Sequence, residues 1–179
     1  MKRNLLRFVP NPKLPIRLKV KGLIWLFVQN TIFVQFYIPS GIRVAILRLF
    51  GARIGKSVFI RRGVRVHFPW NLIIGNQCWI GEEVWFINHA PIELGNDVCI
   101  SQAAMICSSG HDYVSATLDY KHKSIRIHHG AWICLRAVVL AGSEVGINSV
   151  VSAGETLAGK LPDSYIYIRG EGRFIEKLR

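Results

Sequence analysis

His111 and Asp112 are the adjacent side chains best suited to acid–base chemistry in this chain of 179 residues. An imidazole titrates near neutral pH, so His111 could take a proton from a reacting group and return it later in the same reaction. Asp112 could orient or polarise that ring. About fifteen extra residues interrupt an otherwise regular repeat, and His111 and Asp112 are the first of them. This surplus predicts an inserted loop at about residues 111–126 with a cleft at its edge. A loop histidine without a chemical role is the alternative.

Asn88 and Trp85, which precede this loop in the sequence, could bind a substrate beside His111. Asn88 precedes His111 by about one long repeat unit, so the two could lie close together. Asparagine is also well suited to closing a tight turn, and that interpretation stays open. Trp85 could stack on a ligand or simply cover the outside of the fold.

Three further histidines, His122, His128 and His129, raise the question of a zinc site, because three histidines suffice to hold a catalytic zinc ion. His128 and His129 flank a repeat position, and adjacent side chains of a strand point to opposite faces. We therefore predict no metal site.

A hexapeptide rhythm predicts the elements that must position these residues. Isoleucine, leucine or valine returns every six residues along most of the chain, with small or medium residues four places later. A period of six fits neither a helix nor a simple alternating strand. It indicates an all-β solenoid in which three hexapeptides make one coil and coils stack at about 4.8 Å. The unbroken run comprises Ile127, Ile133, Val139, Val145, Val151 and Leu157.

The rhythm divides the chain into a helical extension at residues 1–50, a solenoid at 51–162 and a tail at 163–179. Two coils carry two extra residues each, near residues 68–70 and 89–91. The four cysteines show no paired spacing, so we expect free thiols in a reducing compartment.

Charge is concentrated in the N-terminal half. Residues 1–81 contain fourteen Lys and Arg and no acidic residue, whereas residues 82–179 contain nine basic and eleven acidic residues. Such a surface favours anionic lipid head groups or phosphorylated ligands. Nucleic acid is not expected as a partner, because no nucleic-acid-binding motif accompanies the charge.

The extension allows three interpretations. Residues 22–42 contain no charge and are long enough to span a bilayer, but polar residues interrupt them and basic residues flank both ends equally. They could form helices packed on the solenoid, an interfacial membrane-binding segment, or a true span. Ser40 is predicted to cap a helix that ends near Phe50 and carries an apolar stripe of Ile42, Ala45, Ile46 and Leu49.

Several short motifs within residues 48–162 occur together. They are Arg48-Leu49-Phe50-Gly51-Ala52-Arg53-Ile54-Gly55, Phe68-Pro69-Trp70-Asn71-Leu72, Trp79-Ile80-Gly81-Glu82, Asn88-His89-Ala90-Pro91, Val98-Cys99-Ile100-Ser101-Gln102 and Gly110-His111-Asp112. The combination resembles the hexapeptide-repeat acetyltransferases of the colanic-acid-biosynthesis type, relatives of galactoside, maltose and nodulation-factor O-acetyltransferases. The resemblance implies a left-handed parallel β-helix and a homotrimer with acetyl-CoA sites in grooves between neighbouring prisms.

The expected activity is acetyl-CoA-dependent O-acetylation of a sugar hydroxyl in surface polysaccharide biosynthesis, with His111 as general base and Asp112 beside it. The resemblance places Asn88 at the acceptor sugar, where Trp85 could stack. Trp132 would pack against CoA, main chain at Leu135, Ala153 and Ala158 would line its path, and Arg136, Lys160, Arg169 and Arg173 are the cations available to its phosphates.

Two departures from the family pattern affect the predicted CoA site. Cys134 replaces an expected glycine, and Gly170-Glu171-Gly172-Arg173 replaces the usual Gly-Asn-Pro-Ala stretch. The alternatives are an N-acetyltransferase of an amino sugar, a non-catalytic β-helix scaffold, and a zinc enzyme of the γ-carbonic-anhydrase type. We expect a cytoplasmic protein, with the basic, apolar N-terminus favouring a lipid-linked acceptor at the inner face of the membrane.

Overall fold

The computed structural model describes residues 15–174, with side chains described for residues 15–171. Residues 1–14 of the predicted extension and 175–179 of the predicted tail lie outside the described residues. Two helices are followed by a left-handed parallel β-solenoid of about six coils, which confirms the solenoid predicted from the repeat and the left hand implied by the family resemblance.

Three parallel sheets form the faces of the prism. The first sheet contains β1 (Arg53–Ile54), β4 (Leu72–Ile74), β7 (Ile92–Leu94), β10 (Ile125–Ile127), β13 (Glu144–Val145) and β16 (Lys160–Leu161). The second contains β2 (Phe59–Ile60), β5 (Trp79–Ile80), β8 (Cys99–Ile100), β11 (Trp132–Ile133), β14 (Val150–Val151) and β17 (Tyr165–Ile168), with β18 (Glu171–Phe174) antiparallel at its edge. The third contains β3 (Arg65–Val66), β6 (Trp85–Ile87), β9 (Met105–Cys107), β12 (Val138–Leu140) and β15 (Thr156–Leu157).

The aliphatic residue of each hexapeptide stacks on its counterpart in the next coil, so each sheet buries one continuous ladder. These side chains are almost fully buried, and small residues such as Ala104 and Ala137 fill the corners. The ladder of the second sheet consists of Ile60, Ile80, Ile100, Ile133 and Val151. That of the third consists of Val66, Phe86, Ile106, Val139 and Leu157.

The surplus residues are a single insertion within one coil. Leu94 pairs directly with Ile127 although 33 positions separate them, so the coil closes as if the extra residues were absent. The insertion occupies residues 108–124, between β9 and β10. The expected loop at about 111–126 overlaps nearly all of it.

All irregular connections fall on one edge of the prism. Residues 67–71, 88–91 and 108–124 each lead from a strand of the third sheet to the next strand of the first. The first of these contains a short 3₁₀-helix at Pro69–Asn71. We call this edge, completed by residues 141–143 and 158–159, the insertion corner.

The N-terminal helices pack on the open end of the prism. α1 comprises Ile16–Val28 and continues into a π-helical turn at Gln29–Phe33, and α2 comprises Ser40–Leu49. None of the helices between residues 15 and 174 is long and apolar enough to cross a membrane. The contacts of Trp25 and Gln29 with Val66 show that the helices pack on the solenoid, and membrane contact of this segment stays a prediction.

Side chains of the helices satisfy the main-chain groups at the outer edge of the first coil. On β3, the indole of Trp25 donates to the carbonyl of Val66 at 2.7 Å, and the amide oxygen of Gln29 accepts from the N–H of Val66 at 2.7 Å. On β1, the guanidinium of Arg48 donates to the carbonyl of Ile54 at 2.9 Å.

The edge of β2 is covered in the same way. The N–H of Ile60 donates to the hydroxyl of Ser40 at 2.8 Å. Arg43 is buried and donates to the carbonyls of Phe33, Ile60 and Gln35. Burial, and then the nearby cation Arg61, lower the pKa of the Arg43 guanidinium.

Two expectations about α2 are wrong. Ser40 is the first helical residue, follows Pro39 at the cap position, and uses its hydroxyl on Ile60. The helix buries Arg43, Val44 and Leu47. The predicted stripe therefore turns largely towards solvent. The end of the prism presents main-chain carbonyl groups, which are satisfied by a donor such as Arg43 and not by apolar side chains.

Candidate active site

The insertion at residues 108–124 folds back on itself. His111 and Tyr120 form an antiparallel bridge, and the N–H of Lys121 donates to the carbonyl of Gly110 at 2.8 Å. His111 is exposed at the surface of this fold-back. The loop thus presents an imidazole to solvent at the insertion corner on a fixed piece of main chain.

One hydrogen bond fixes the tautomer of His111. Its Nδ1 lies 2.6 Å from the carbonyl oxygen of Leu118. A carbonyl can only accept, so Nδ1 carries the proton and the lone pair of the neutral ring is on Nε2. Leu118 has a φ of +52°, in the left-handed region that residues other than glycine rarely adopt. A general base requires such a lone pair, and in His111 it is on Nε2 because Nδ1 is bonded to Leu118.

A carboxylate organises the turn that carries Leu118. Asp119 accepts from the hydroxyl of Thr117 at 2.7 Å and from the hydroxyl of Ser115 at 2.8 Å. These two hydrogen bonds lower the pKa of Asp119. The hydrogen bonds of Asp119 therefore stabilise the turn in which Leu118 adopts a positive φ, and they fix the position of the Leu118 carbonyl.

Asp112 has a local structural contact. Its Oδ1 accepts from the N–H of Val114 at 3.0 Å, and its Oδ2 lies 3.8 Å from the ammonium of Lys121. Because Leu118 binds Nδ1 of His111, the geometry favours that carbonyl over Asp112 as the group that orients the base.

A column of rings connects His111 to the earlier coils of the insertion corner. The ring of His111 stacks on Tyr120 at 4.9 Å between centroids, and Tyr120 contacts His122 at 4.9 Å. His122 lies 4.8 Å from His89, and His89 lies 5.4 Å from His67. The three interruptions of the repeat, residues 67–71, 88–91 and 108–124, therefore each contribute at least one histidine to the same column of rings.

Three histidines of this column, His67, His89 and His122, have lowered pKa values, which favour the neutral ring. Burial, then the neighbouring His122 and His67, lower the pKa of His89 to about 4. Burial alone lowers the pKa of His67, and burial followed by the proximity of His111 lowers that of His122. A protonated ring within the column would be poorly solvated and would repel its neighbours.

Asn88 and Trp85 lie in the same region but do not present polar atoms to a ligand in this structure. Asn88 is fully buried, donates to the carbonyl of Phe68 at 2.6 Å and accepts from its N–H at 2.9 Å. The amide thus closes the turn between adjacent coils, and the expected sugar contact stays a prediction. The ring of Trp85 contacts His67 at 5.7 Å, and its buried Nε1 has no hydrogen-bond partner among the described residues.

Known proteins that are similar in sequence and in fold indicate the class of this protein. No protein-family model matches the chain. A protein of Escherichia coli K12 named as the colanic acid biosynthesis acetyltransferase WcaF is 33% identical over 150 residues, covering 82% of this chain and 81% of that protein. The chain belongs to the hexapeptide-repeat acetyltransferases.

Two solved structures share the fold of this acetyltransferase. The hexapeptide-repeat acetyltransferase VCA0836 of Vibrio cholerae, complexed with acetyl-CoA, has a TM-score of 0.82 at 19% identity over 92% of this chain and 90% of that one. A galactoside acetyltransferase in complex with coenzyme A has a TM-score of 0.79 at 20% identity, over 93% and 85%. The predicted fold, family and enzyme class are confirmed.

The residues predicted to bind CoA in this acetyltransferase fall on two edges of the prism. Leu135, Arg136 and Ala153 lie in stacked turns between the second and third sheets, where the carbonyl of Leu135 accepts from the N–H of Gly154. Ala158 lies at the insertion corner with His111. The two groups are therefore not brought together within one chain.

The remaining candidates differ in their availability. Trp132 is 47% exposed on the second sheet, with its indole donating to the hydroxyl of Ser101 at 2.8 Å. Arg136 and Lys160 are exposed, and Lys160 pairs with Glu144 at 2.9 Å. The side chain of Arg173 lies outside the described residues. An apolar ring and exposed cations fit the adenine and phosphate chemistry of CoA.

The acetyltransferase has no metal-binding group among residues 15–171, for which side chains are described. The three histidines considered for zinc have other contacts. His128 lies 2.9 Å from Glu144, His129 accepts from the N–H of Asn96 at 2.8 Å, and His122 lies 3.2 Å from the hydroxyl of Ser109.

Sequence reasoning missed Leu118, Asp119 and Tyr120 as parts of the site. The signal was the run Ser115-Ala116-Thr117-Leu118-Asp119, because two hydroxyls followed by a carboxylate are typical of a self-bonded turn. The role of Leu118 rests on its main chain, so its residue type gave no indication of it.

Proposed function

We propose that this acetyltransferase moves an acetyl group from acetyl-CoA to a hydroxyl of a saccharide destined for a surface polysaccharide. The observation that carries the proposal is the hydrogen bond from Nδ1 of His111 to the carbonyl of Leu118, which leaves the lone pair on Nε2. The name of the Escherichia coli relative supports the acceptor class.

His111 serves as the base and then as the acid. Acetyl-CoA supplies an activated thioester carbonyl. Nε2 of His111 takes the proton of the acceptor hydroxyl as its oxygen bonds to the carbonyl carbon, and returns that proton to sulfur when the carbon–sulfur bond breaks. The products are an acetyl ester and the free thiol. Leu118 keeps accepting from Nδ1 throughout, which stabilises the transient imidazolium.

A homotrimer would complete the site. Leu135 and Ala153 lie on one edge of the prism, whereas His111 and Ala158 lie on another. A three-fold arrangement of prisms sets one edge of each chain beside a different edge of its neighbour. CoA bound in such a groove would contact both groups, with Trp132 and the cations Arg136 and Lys160 available to its nucleotide end.

We further propose that the acceptor is lipid-linked and is modified at the cytoplasmic face of the membrane. Residues 15–81 carry ten basic residues and no acidic residue, so the end of the molecule that holds α1 and α2 favours an anionic surface. A saccharide attached to a lipid carrier is confined to such a surface.

The experiment is an acceptor screen with purified protein and acetyl-CoA. Free sugars, nucleotide sugars and lipid-linked oligosaccharides are each incubated and analysed by mass spectrometry for an added acetyl group. Mild alkali then separates the outcomes, because an ester is cleaved and the amide of an N-acetyl product survives. An alkali-stable product would favour the N-acetyltransferase alternative. Absence of any acetylated product, together with no thermal stabilisation by CoA, would contradict acetyl transfer and favour a scaffold.

A further inference from the structure

α1 is apolar on two opposite faces. Trp25 is almost fully buried against the prism. On the opposite side lies a row spaced four, three and four residues apart, which a helix of 3.6 residues per turn aligns into one stripe. The row consists of Ile16, Val20, Leu23 and Phe27, which are 81%, 52%, 68% and 69% exposed. We call it the outer stripe.

Basic residues flank the outer stripe on both sides. At 100° per residue, Arg17 falls on one border of the stripe and Lys19 on the other, and both are exposed. Lys2, Arg3, Arg7 and Lys13 precede the helix in sequence, and no acidic residue occurs before Glu82. An apolar stripe between cations is the pattern of a helix that lies in the head-group region of an anionic bilayer.

The geometry permits such a helix to lie on a membrane and not to cross it. α1 has thirteen residues, which is about 20 Å and shorter than the hydrocarbon core of a bilayer. Its inner face is already committed to the prism through Trp25 and Gln29. The outer stripe, flanked by the exposed side chains of Ile24 and Leu26, is available for insertion.

A second copy of the chain fits the stripe less well. Two copies packed face to face through this helix would bring together two surfaces that both carry Arg17 and Lys19 beside the stripe. The first 81 residues contain no carboxylate to neutralise them, and like charges at an interface disfavour association. Anionic phospholipid supplies both the apolar contact and the missing negative charge.

We propose that the outer stripe of α1 docks this protein on a bilayer containing anionic phospholipid. The helix packs against Val66, at the start of the insertion corner. The His111 loop leaves the same corner two coils later, about 10 Å along the prism axis. Resting on the proposed function, this placement sets the base within reach of a saccharide whose lipid carrier is in the same membrane.

Co-sedimentation of the full chain with vesicles tests the docking. Wild-type protein should pellet with phosphatidylcholine vesicles that contain phosphatidylglycerol, and much less with phosphatidylcholine alone or at high salt. Leu23→Ser combined with Phe27→Ser should weaken binding by at least about tenfold, because two large side chains no longer enter the bilayer. Ile147→Ser, on a turn between the first and second sheets, is the matched control and should bind as wild type.

Arg17→Gln combined with Lys19→Gln tests the electrostatic contribution. Binding to the mixed vesicles should fall about thirtyfold at low salt, with little change on neutral vesicles. These two positions are exposed, so the variant tests docking even if the apolar variant melts early. Unchanged binding in both variants would overturn the proposal. So would a change in sedimentation coefficient without lipid in the apolar variant alone, because the stripe would then be a contact between copies. The assay contains no acyl donor, so its failure is distinct from failure of acetyl transfer.

Discussion

Nδ1 of His111 lies 2.6 Å from the carbonyl oxygen of Leu118, so a neutral main-chain group sets the tautomer of the proposed base. The carbonyl determines which nitrogen holds the proton without placing a full negative charge beside the ring. Leu118 itself is held at a positive φ by the turn around Asp119. The reactivity of the histidine thus depends on the conformation of a loop.

Replacement of His111 by alanine should lower the rate of acetyl transfer by about 10²–10⁴-fold, the usual contribution of a general base. His111 is exposed, so the melting temperature should change little. Release of free thiol from acetyl-CoA, with an acceptor found in the screen, measures the rate. His129→Ala removes an exposed histidine outside the insertion corner and should retain the rate. Full activity of His111→Ala would show that another group is the base.

Asp119 and Asp112 should differ in their effects on catalysis. Asp119→Asn cannot accept from both Ser115 and Thr117, so the turn loosens and kcat should fall about tenfold with an unchanged KM for acetyl-CoA. Asp112→Asn keeps an oxygen for the N–H of Val114 and should retain most activity. Steady-state kinetics of the two variants decide the point. If Asp112→Asn proved as inactive as His111→Ala, Asp112 would be the orienting group.

Asn88 should act mainly on stability. Asn88→Ala leaves the partly buried N–H of Phe68 without its partner, and the carbonyl of Phe68 keeps only the N–H of Asn71, so the free energy of unfolding should fall by about 1–3 kcal/mol. Thermal or urea unfolding measures the loss, and Asn30→Ala, at an exposed position, is the control. A variant with unchanged stability but weakened acceptor binding would instead support the sugar contact predicted from the sequence.

Acidification should destabilise the protein through the ring column. The pKa of His89 is lowered from 6.5 to about 4 in the folded state, and those of His67 and His122 are also lowered. The unfolded chain therefore binds more protons below pH 6.5, and stability falls as the pH drops from 6.5 towards 4. Glu144, whose pKa is lowered from 4.5 to about 2, contributes a separate loss only at lower pH.

Melting temperatures measured between neutral pH and pH 5 isolate the histidine effect. His89→Gln should flatten the dependence, whereas His129→Gln, outside the column, should leave it unchanged. A wild-type melting temperature that is constant over this range would contradict the burial of neutral histidines in the insertion corner.

The regular part of the fold was predictable because every coil repeats one packing problem. Ile127 and Val139 solve it with an inward aliphatic, and Ala131 and Ala137 with a small corner residue. The interruptions were also visible, since a surplus in a fixed period has to leave the prism. The sequence did not reveal that the interruptions share one edge, because that depends on which sheet each strand joins.

The helices and the catalytic contacts were less predictable. α2 buries Arg43 and turns Ile42 and Leu49 outward because its neighbours are unpaired carbonyl groups at the end of a sheet. An apolar stripe in the sequence cannot reveal that the neighbouring carbonyl groups need hydrogen-bond donors. Likewise, Leu118 acts through its carbonyl, and any residue type carries one.

The contacts of Trp25, Gln29, Ser40, Arg43 and Arg48 with the first coil also limit the length of the prism. An uncovered first coil would offer three strand edges to the last coil of another molecule, and chains could then add end to end into a fibre. By occupying those edges, the helices make each molecule a closed unit. The N-terminal helices α1 and α2 thus also prevent end-to-end association of the prisms.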